Sequence, residues 1–222
     1  MTDKIQTELT AQATELHFAE NLPVEIVGFT TEKIFAADGD KFIFFTCTNK
    51  NHCALTTYFH EETNEFKVRQ RIGLTEFCLT NFFTEDFVAF QKLLDAELES
   101  VLKNLRDVHE KKFSRFVSEK KIDTWNFDLP ATLEGFELFI SPAEPVEITN
   151  GSFIVLNYAD FATGSDFILY YNIYGDIFSA ESRIKGAAHI SYAFESKDLD
   201  ELAVKLKENL TVELREIRRL SA

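Results

Sequence analysis

The chain carries one pattern twice. Leu22-Pro23, four further residues and Gly28-Phe29 recur as Leu129-Pro130, four residues and Gly135-Phe136. Residues 72–105 align without a gap on residues 184–217, an offset of 112. Six of these 34 pairs are identical: Ile72/Ile184, Phe82/Phe194, Asp86/Asp198, Leu94/Leu206, Leu98/Leu210 and Leu102/Leu214. The physical pattern says more than the identities. Thr84 and Ser196 are hydroxyl residues placed to cap a helix at the same offset. The stripe Phe87, Phe90, Leu94, Leu98, Leu102, Leu105 stays apolar as Leu199, Leu202, Leu206, Leu210, Leu214, Ile217. Steps of three and four residues put each set on one helix face. Upstream the offset is 107 at the Leu-Pro pair and 111 at Phe42/Phe153. Such drift is what loop insertions produce. Self-similarity at a near-fixed period points to a duplicated structural unit.

Hydrophobic periodicity fills in that unit. Ile5, Leu9, Ala13 and Leu16 predict an amphipathic helix over 2–20, stopped by Leu22-Pro23. Strand patterns follow at 24–29, 33–37, 42–45, 53–60, 65–72 and 75–82. Asp38-Gly39-Asp40 is a hairpin turn signal. A helix starts at Thr84 and either runs on through Val108, Phe113, Phe116 and Val117 or breaks near 107–112. The second half retraces these steps, with a proline-flanked loop at 141–145, Gly175-Asp176 as a two-residue type II′ turn, and a last helix from Ser196 to about Arg219. The expected fold is α+β: a tandem duplication of an antiparallel β-meander of five to six strands followed by a long amphipathic helix, with an extra N-terminal helix. The halves are expected at 1–121 and 122–222, packed as one pseudo-symmetric unit, the N-terminal helix matching 107–121.

Composition limits the partners. Of 222 residues, 45% are apolar and 23 are Phe, enough for well-fixed cores. A formal net charge of −14 repels phosphate backbones and anionic lipid, so neither nucleic acid nor a membrane is the expected partner. The same charge would steer a basic protein toward the chain. The polar start (Thr2, Asp3, Lys4, Gln6) lacks a signal-peptide core, and three cysteines (Cys47, Cys53, Cys78) read as reduced thiols. The expected location is cytoplasmic.

The sequence carries no phosphate-binding glycine loop, zinc-protease helix or serine elbow, so no catalytic residue and no cofactor is assigned. Cys47, His52 and Cys53 are spaced unlike a zinc knuckle and read as buried small residues flanking a turn. Asp38-Gly39-Asp40 lacks the later oxygens of a calcium loop, leaving no metal assignment. His60, beside Glu61 and Glu62, reads as an exposed hairpin tip, with Tyr174 its counterpart in the second half. Lys67, Arg69 and Arg71 alternate along one strand and share a face. They suit either pairing with surface carboxylates or the docking of an anionic group. Trp125, beside Phe127 in the expected linker, staples the halves or marks a surface. The leading expectation is a non-enzymatic acidic protein-binding module: a chaperone, adaptor or inhibitor of a basic partner. The alternative is a small-ligand binder or enzyme with a site between sheet and helix or between the halves, where His60, Arg69 or Arg71 would supply polar contacts. A homodimer pairing its long helices is compatible with both.

Overall fold

The structure, a computed structural model, describes residues 1–108, 115–125, 127–149 and 151–222. The chain divides into two compact units, Met1–Asp107 and Val108–Ala222. The first contains α1 (Asp3–Glu15), the strands β1 (Glu25–Ile26), β2 (Phe29–Asp38), β3 (Lys41–Thr48), β4 (Cys53–His60), β5 (Glu65–Ile72) and β6 (Thr75–Thr84), and α2 (Phe87–Arg106). Its six strands form one antiparallel sheet in sequence order. The second contains α3 (Arg115–Glu119), β7 (Thr132–Leu133), β8 (Phe136–Ile140), β9 (Val146–Glu147), β10 (Ser152–Asp160), β11 (Ser165–Asn172), β12 (Ile177–Ile184), β13 (Ala187–Ser196) and α4 (Leu199–Ser221). Its sheet runs β13-β12-β11-β10-β8-β7, with β9 also paired to β10. The fold is the expected α+β tandem duplication.

The match extends to irregularities. From β4 onward every strand of the first unit reappears 112 residues later with the same bounds. The wide bulge where β5 meets β6, between Phe66↔Thr84 and Val68↔Leu79, recurs between Phe178↔Ser196 and Ala180↔Ser191. Both units open their sheet with a two-residue hairpin, Val27-Gly28 and Glu134-Gly135, in which both residues have positive φ. That is the type I′ turn, whose twist suits adjoining strands. Arg106 lies over Gly28 and Arg218 over Gly135, again 112 residues apart. A Cβ on Gly135 would sit 2.3 Å from Arg218 Nη2 and push that guanidinium aside, and its φ of +82° is the conformation that calls for glycine.

Differences between the units fall at insertions. In the first, β2 bulges between Lys33 and Ala36 but stays one strand along β3. In the second, residues 141–145 interrupt the equivalent strand and leave β8 and β9 as its two pieces on β10. Two prolines in this loop withhold the amide donors that a ladder needs. The 173–176 turn differs from the expected type II′ turn. Asn172 pairs with Ile177, so the loop has four residues, and Asn172 Oδ1 accepts from the Tyr174 and Gly175 amides. The positive φ falls on Asp176, as it falls on Asn64 in the matching 61–64 turn. His60, which pairs with Glu65, therefore corresponds to Asn172 and not to Tyr174.

The helix caps lie two residues beyond the expected ones. Asp86 Oδ1 accepts from the Ala89 amide, and Asp198 Oδ1 accepts from the Asp200 and Glu201 amides. Thr84 and Ser196 accept from the Asp86 and Asp198 amides, holding the approach to each cap. α2 stops at Arg106 with Asp107 as its C-cap, and the 109–114 part of the expected continuation lies outside the described residues.

α3 is the counterpart of α1. Both end on a left-handed residue, His17 or Lys121, followed by a bond from the next amide five residues back: Phe18 to Ala13 O, Ile122 to Val117 O. This is a Schellman stop. Val117 and Ile122 lie in the core of the second unit, so the segment after Asp107 belongs with the sheet that follows it. Each unit is thus helix, meander, helix. In the first, Phe44 and Phe66 of the sheet pack with Phe87 of α2, ring centroids 4.9–6.0 Å apart. In the second, the stripe from Leu202 to Ile217 lies buried on Phe167, Phe178 and Phe194. Among the described residues no helix is long and apolar enough to cross a membrane.

Candidate functional site

The residues singled out in the first half converge on one surface. Phe66, Val68 and Ile72 of β5 are buried, and Lys67, Arg69 and Arg71 point to the opposite face. There Lys67 stands opposite Tyr58, Arg69 opposite Thr56 and Arg71 opposite Ala54, with Thr46 and Thr48 one strand further on. His60 belongs to the same row of β4. Trp125 lies in the second unit, partly buried against its core, with the Phe127 ring 5.3 Å away.

Two of the three cations are paired within the face. Lys67 Nζ is 2.9 Å from Glu65 Oε2 and 4.7 Å from the Phe83 ring centroid. Arg69 Nη1 is 2.8 Å from Glu76 Oε2, and its guanidinium lies 5.8 Å from the Tyr58 ring centroid. Tyr58 in turn makes a 3.2 Å O–H/Sγ contact with Cys78; burial first, then this contact, raises the Tyr58 pKa. Arg71 differs: its Nε is sealed from solvent and has no hydrogen-bond partner among the described residues. Beside it is a cleft of about 190 Å³ lined by Thr46, Thr48, Thr56, Arg69, Arg71 and Glu76.

The same place in the second unit is built differently. Arg183 occupies the register of Arg71, and Asp166 stands opposite it where the first unit has Ala54. Asp166 Oδ2 lies 3.5 Å from Arg183 Nη1 and accepts from Asn157 Nδ2 at 3.2 Å. Glu181, in the register of Arg69, is 3.6 Å from Arg183. Asp166 is fully buried, and burial pushes its pKa up to about 6 although Arg183 and Asn157 pull the other way. One copy thus surrounds its arginine with two carboxylates. The other offers two arginines, the methyl group of Ala54 and one carboxylate, Glu76, opposite Arg71 on β6.

His60 sits where two turns meet. Its Nε2 is 2.8 Å from Asp40 Oδ2, and its Nδ1 is 3.0 Å from Thr63 Oγ1. Lys67 first, and then the Thr63 hydroxyl, bond to Glu65 and lower its pKa. Desolvation works to raise the Asp40 pKa, but a backbone hydrogen bond, His60 and Lys41 outweigh it and hold it below its usual value. Asp40, His60 and Glu62 bring one ligand atom each within 4.8 Å of one another, and these residues could hold a metal ion. The sequence reading treated Asp40 and His60 as separate turns; the signal joining them is the Lys41↔His60 register, which puts both turns at one end of the sheet.

Cys47 and Cys53 are buried, and burial pushes their thiols up to about 12 and about 11. They are protonated at neutral pH, so neither is an activated thiolate nucleophile. His52 holds a left-handed turn position between them.

A second feature escaped the sequence reading because it lies between distant segments. The chain after α1, residues 16–23, stands off α2 and leaves a groove of about 520 Å³. Buried Phe18, Phe45 and Leu94 give it an apolar floor with half-buried Leu22, Ile26 and Leu98 beside them, and Glu20, Asp95 and Glu99 rim it. Gln91 Nε2 donates to Leu16 O at 3.3 Å and closes one end. The rim is particular to this copy: Asp95 and Glu99 correspond to Lys207 and Thr211 in α4. No protein-family model, no curated protein sequence and no solved structure matches the chain.

Proposed function

We propose that the protein is a non-enzymatic binding module for another protein, acting as a chaperone, adaptor or inhibitor, and that its partner presents a basic segment with apolar side chains. The acidic-rimmed groove between residues 16–23 and α2 carries this reading. An apolar floor rewards burial of a partner's side chains, and a carboxylate rim selects lysine or arginine beside them. The net charge of −14 adds long-range attraction for such a partner. The core of the first unit is filled by packed phenylalanines.

Affinity capture from a lysate of the native host tests this when the wild type is run beside Asp95→Lys/Glu99→Lys. Both side chains lie on the exposed side of α2, so the substitutions leave the core alone. The expected result is a basic protein held by the wild type at low salt, released at high salt, and lost by the double variant under both conditions. Equal capture by wild type and variant would show that the groove is not the docking site.

A further inference from the structure

We propose that the cleft beside Arg71 binds the carboxylate group of a small molecule. The argument comes from comparing the two copies of the fold. Arg71 and Arg183 stand at the same register of equivalent strands, each opposite the same position of the preceding strand. In the second unit that position is Asp166, whose carboxylate lies against Arg183 with Asn157 donating to it. In the first unit it is Ala54, and Asn157 is replaced by Thr46. The acid nearest along the arginine's own strand is exchanged as well: Glu181 becomes Arg69. The site changes from one arginine with two carboxylates to two arginines with one, Glu76, which stands opposite Arg71 on β6 where the second unit has Ala188.

The first unit therefore has one more arginine than carboxylate at this place, and the second has one more carboxylate than arginine. Arg71 Nε is sealed from solvent and has no hydrogen-bond partner among the described residues, an unmet donor beside the cleft that a ligand reaches only when the side chain shifts. Arg69 cannot cancel this charge, being itself cationic and paired with Glu76. Thr46, Thr48 and Thr56 line the same cleft and offer hydroxyl donors to a second carboxylate oxygen. A guanidinium fork with adjacent hydroxyls suits a planar carboxylate. A cleft of about 190 Å³ takes a short carboxylic acid and is too small for a nucleotide. The chain's overall negative charge weighs little at this range, because exposed charges are screened beyond about 8–10 Å at physiological salt.

The test is an NMR titration of the full chain, following the Arg71 Nε–H signal and the amides of Thr46, Ala54 and Thr56. The probes are sodium acetate, sodium succinate and inorganic phosphate, each against sodium chloride at matched ionic strength. The expected result is a saturable shift at these four residues with acetate or succinate. Ala54→Asp, which gives the first unit the carboxylate of the second, should abolish it. Arg71→Gln, read on the amides, should weaken binding by about tenfold or more, the loss expected when a charge-assisted hydrogen bond is removed. Unchanged α2 amide signals establish that each variant is folded. The proposal is overturned if the carboxylates shift nothing beyond the chloride control, if folded Ala54→Asp or Arg71→Gln binds like the wild type, or if phosphate binds and the carboxylates do not.

Discussion

Asp166 shows how much one residue can set. Burial holds its pKa at about 6 in the fold, above the ordinary 3.8 of an aspartate, so folding favours the protonated carboxyl. The stability linked to it is therefore full below pH 4 and lost as pH rises through 6. Trp125, the single tryptophan, lies in the same unit and reports its unfolding. Urea unfolding by tryptophan fluorescence should show the stability of wild type relative to Asp166→Asn falling between pH 4 and pH 7.5, by on the order of 3 kcal/mol. Titrations elsewhere cancel in the difference, and a pH-independent difference contradicts the assignment. Val27 is a second such position. A β-branched residue at φ 45 is strained, and asparagine is the residue type that a type I′ turn favours there. Val27→Asn should stabilise the first unit by about 1 kcal/mol in denaturant titrations, whereas a loss of stability would show that Val27 packing outweighs backbone strain. Neither position could be read from the sequence. The Lys67-Arg69-Arg71 alternation was visible at once, but the importance of Arg71 depends on Ala54, and an alanine signals nothing until the register sets it opposite Asp166.

At the scale of elements the sequence was most legible where periodicity is strong. The strands from β3 to β6 and the two leucine stripes lie where alternation and three-four spacing put them. Turn and cap chemistry was harder, because several polar residues compete for the same backbone amides. Thr84 and Ser196 looked like caps; each supports the aspartate two residues on, which bonds the helix itself. Asp198→Ala should destabilise the second unit by about 1 kcal/mol, and Ser196→Ala by less, in the same fluorescence assay. If Ser196→Ala costs more, the hydroxyl is the principal cap. Strand bounds around β8 and β9 were obscured for another reason: a proline-rich insertion splits one strand without moving its pieces off β10. The groove on α2 was illegible in the sequence, since residues 16–23 and α2 are separated along the chain by the whole sheet.

For the whole molecule, duplication accounts for the fold and divergence accounts for the candidate sites. Positions shared at the 112-residue offset are structural: the aspartate caps, the helix stripes, the bulge between the last two strands, and the arginines over the glycine turns. Positions that differ carry charge: Ala54 against Asp166, Arg69 against Glu181, Asp95 against Lys207, His60 against Asn172. Partner docking on the groove and carboxylate binding beside Arg71 both lie in this second class. The claim beneath both is that the two units share one register. A solution NMR map of cross-strand NOEs tests it most directly. The account predicts matched contacts for Ala54–Arg71 and Asp166–Arg183, for Tyr58–Lys67 and Tyr170–Ser179, and for Val68–Leu79 and Ala180–Ser191. Contacts from the second unit displaced by even one residue from this offset would contradict it, because a one-residue slip turns every side chain to the other face and separates Asp166 from Arg183.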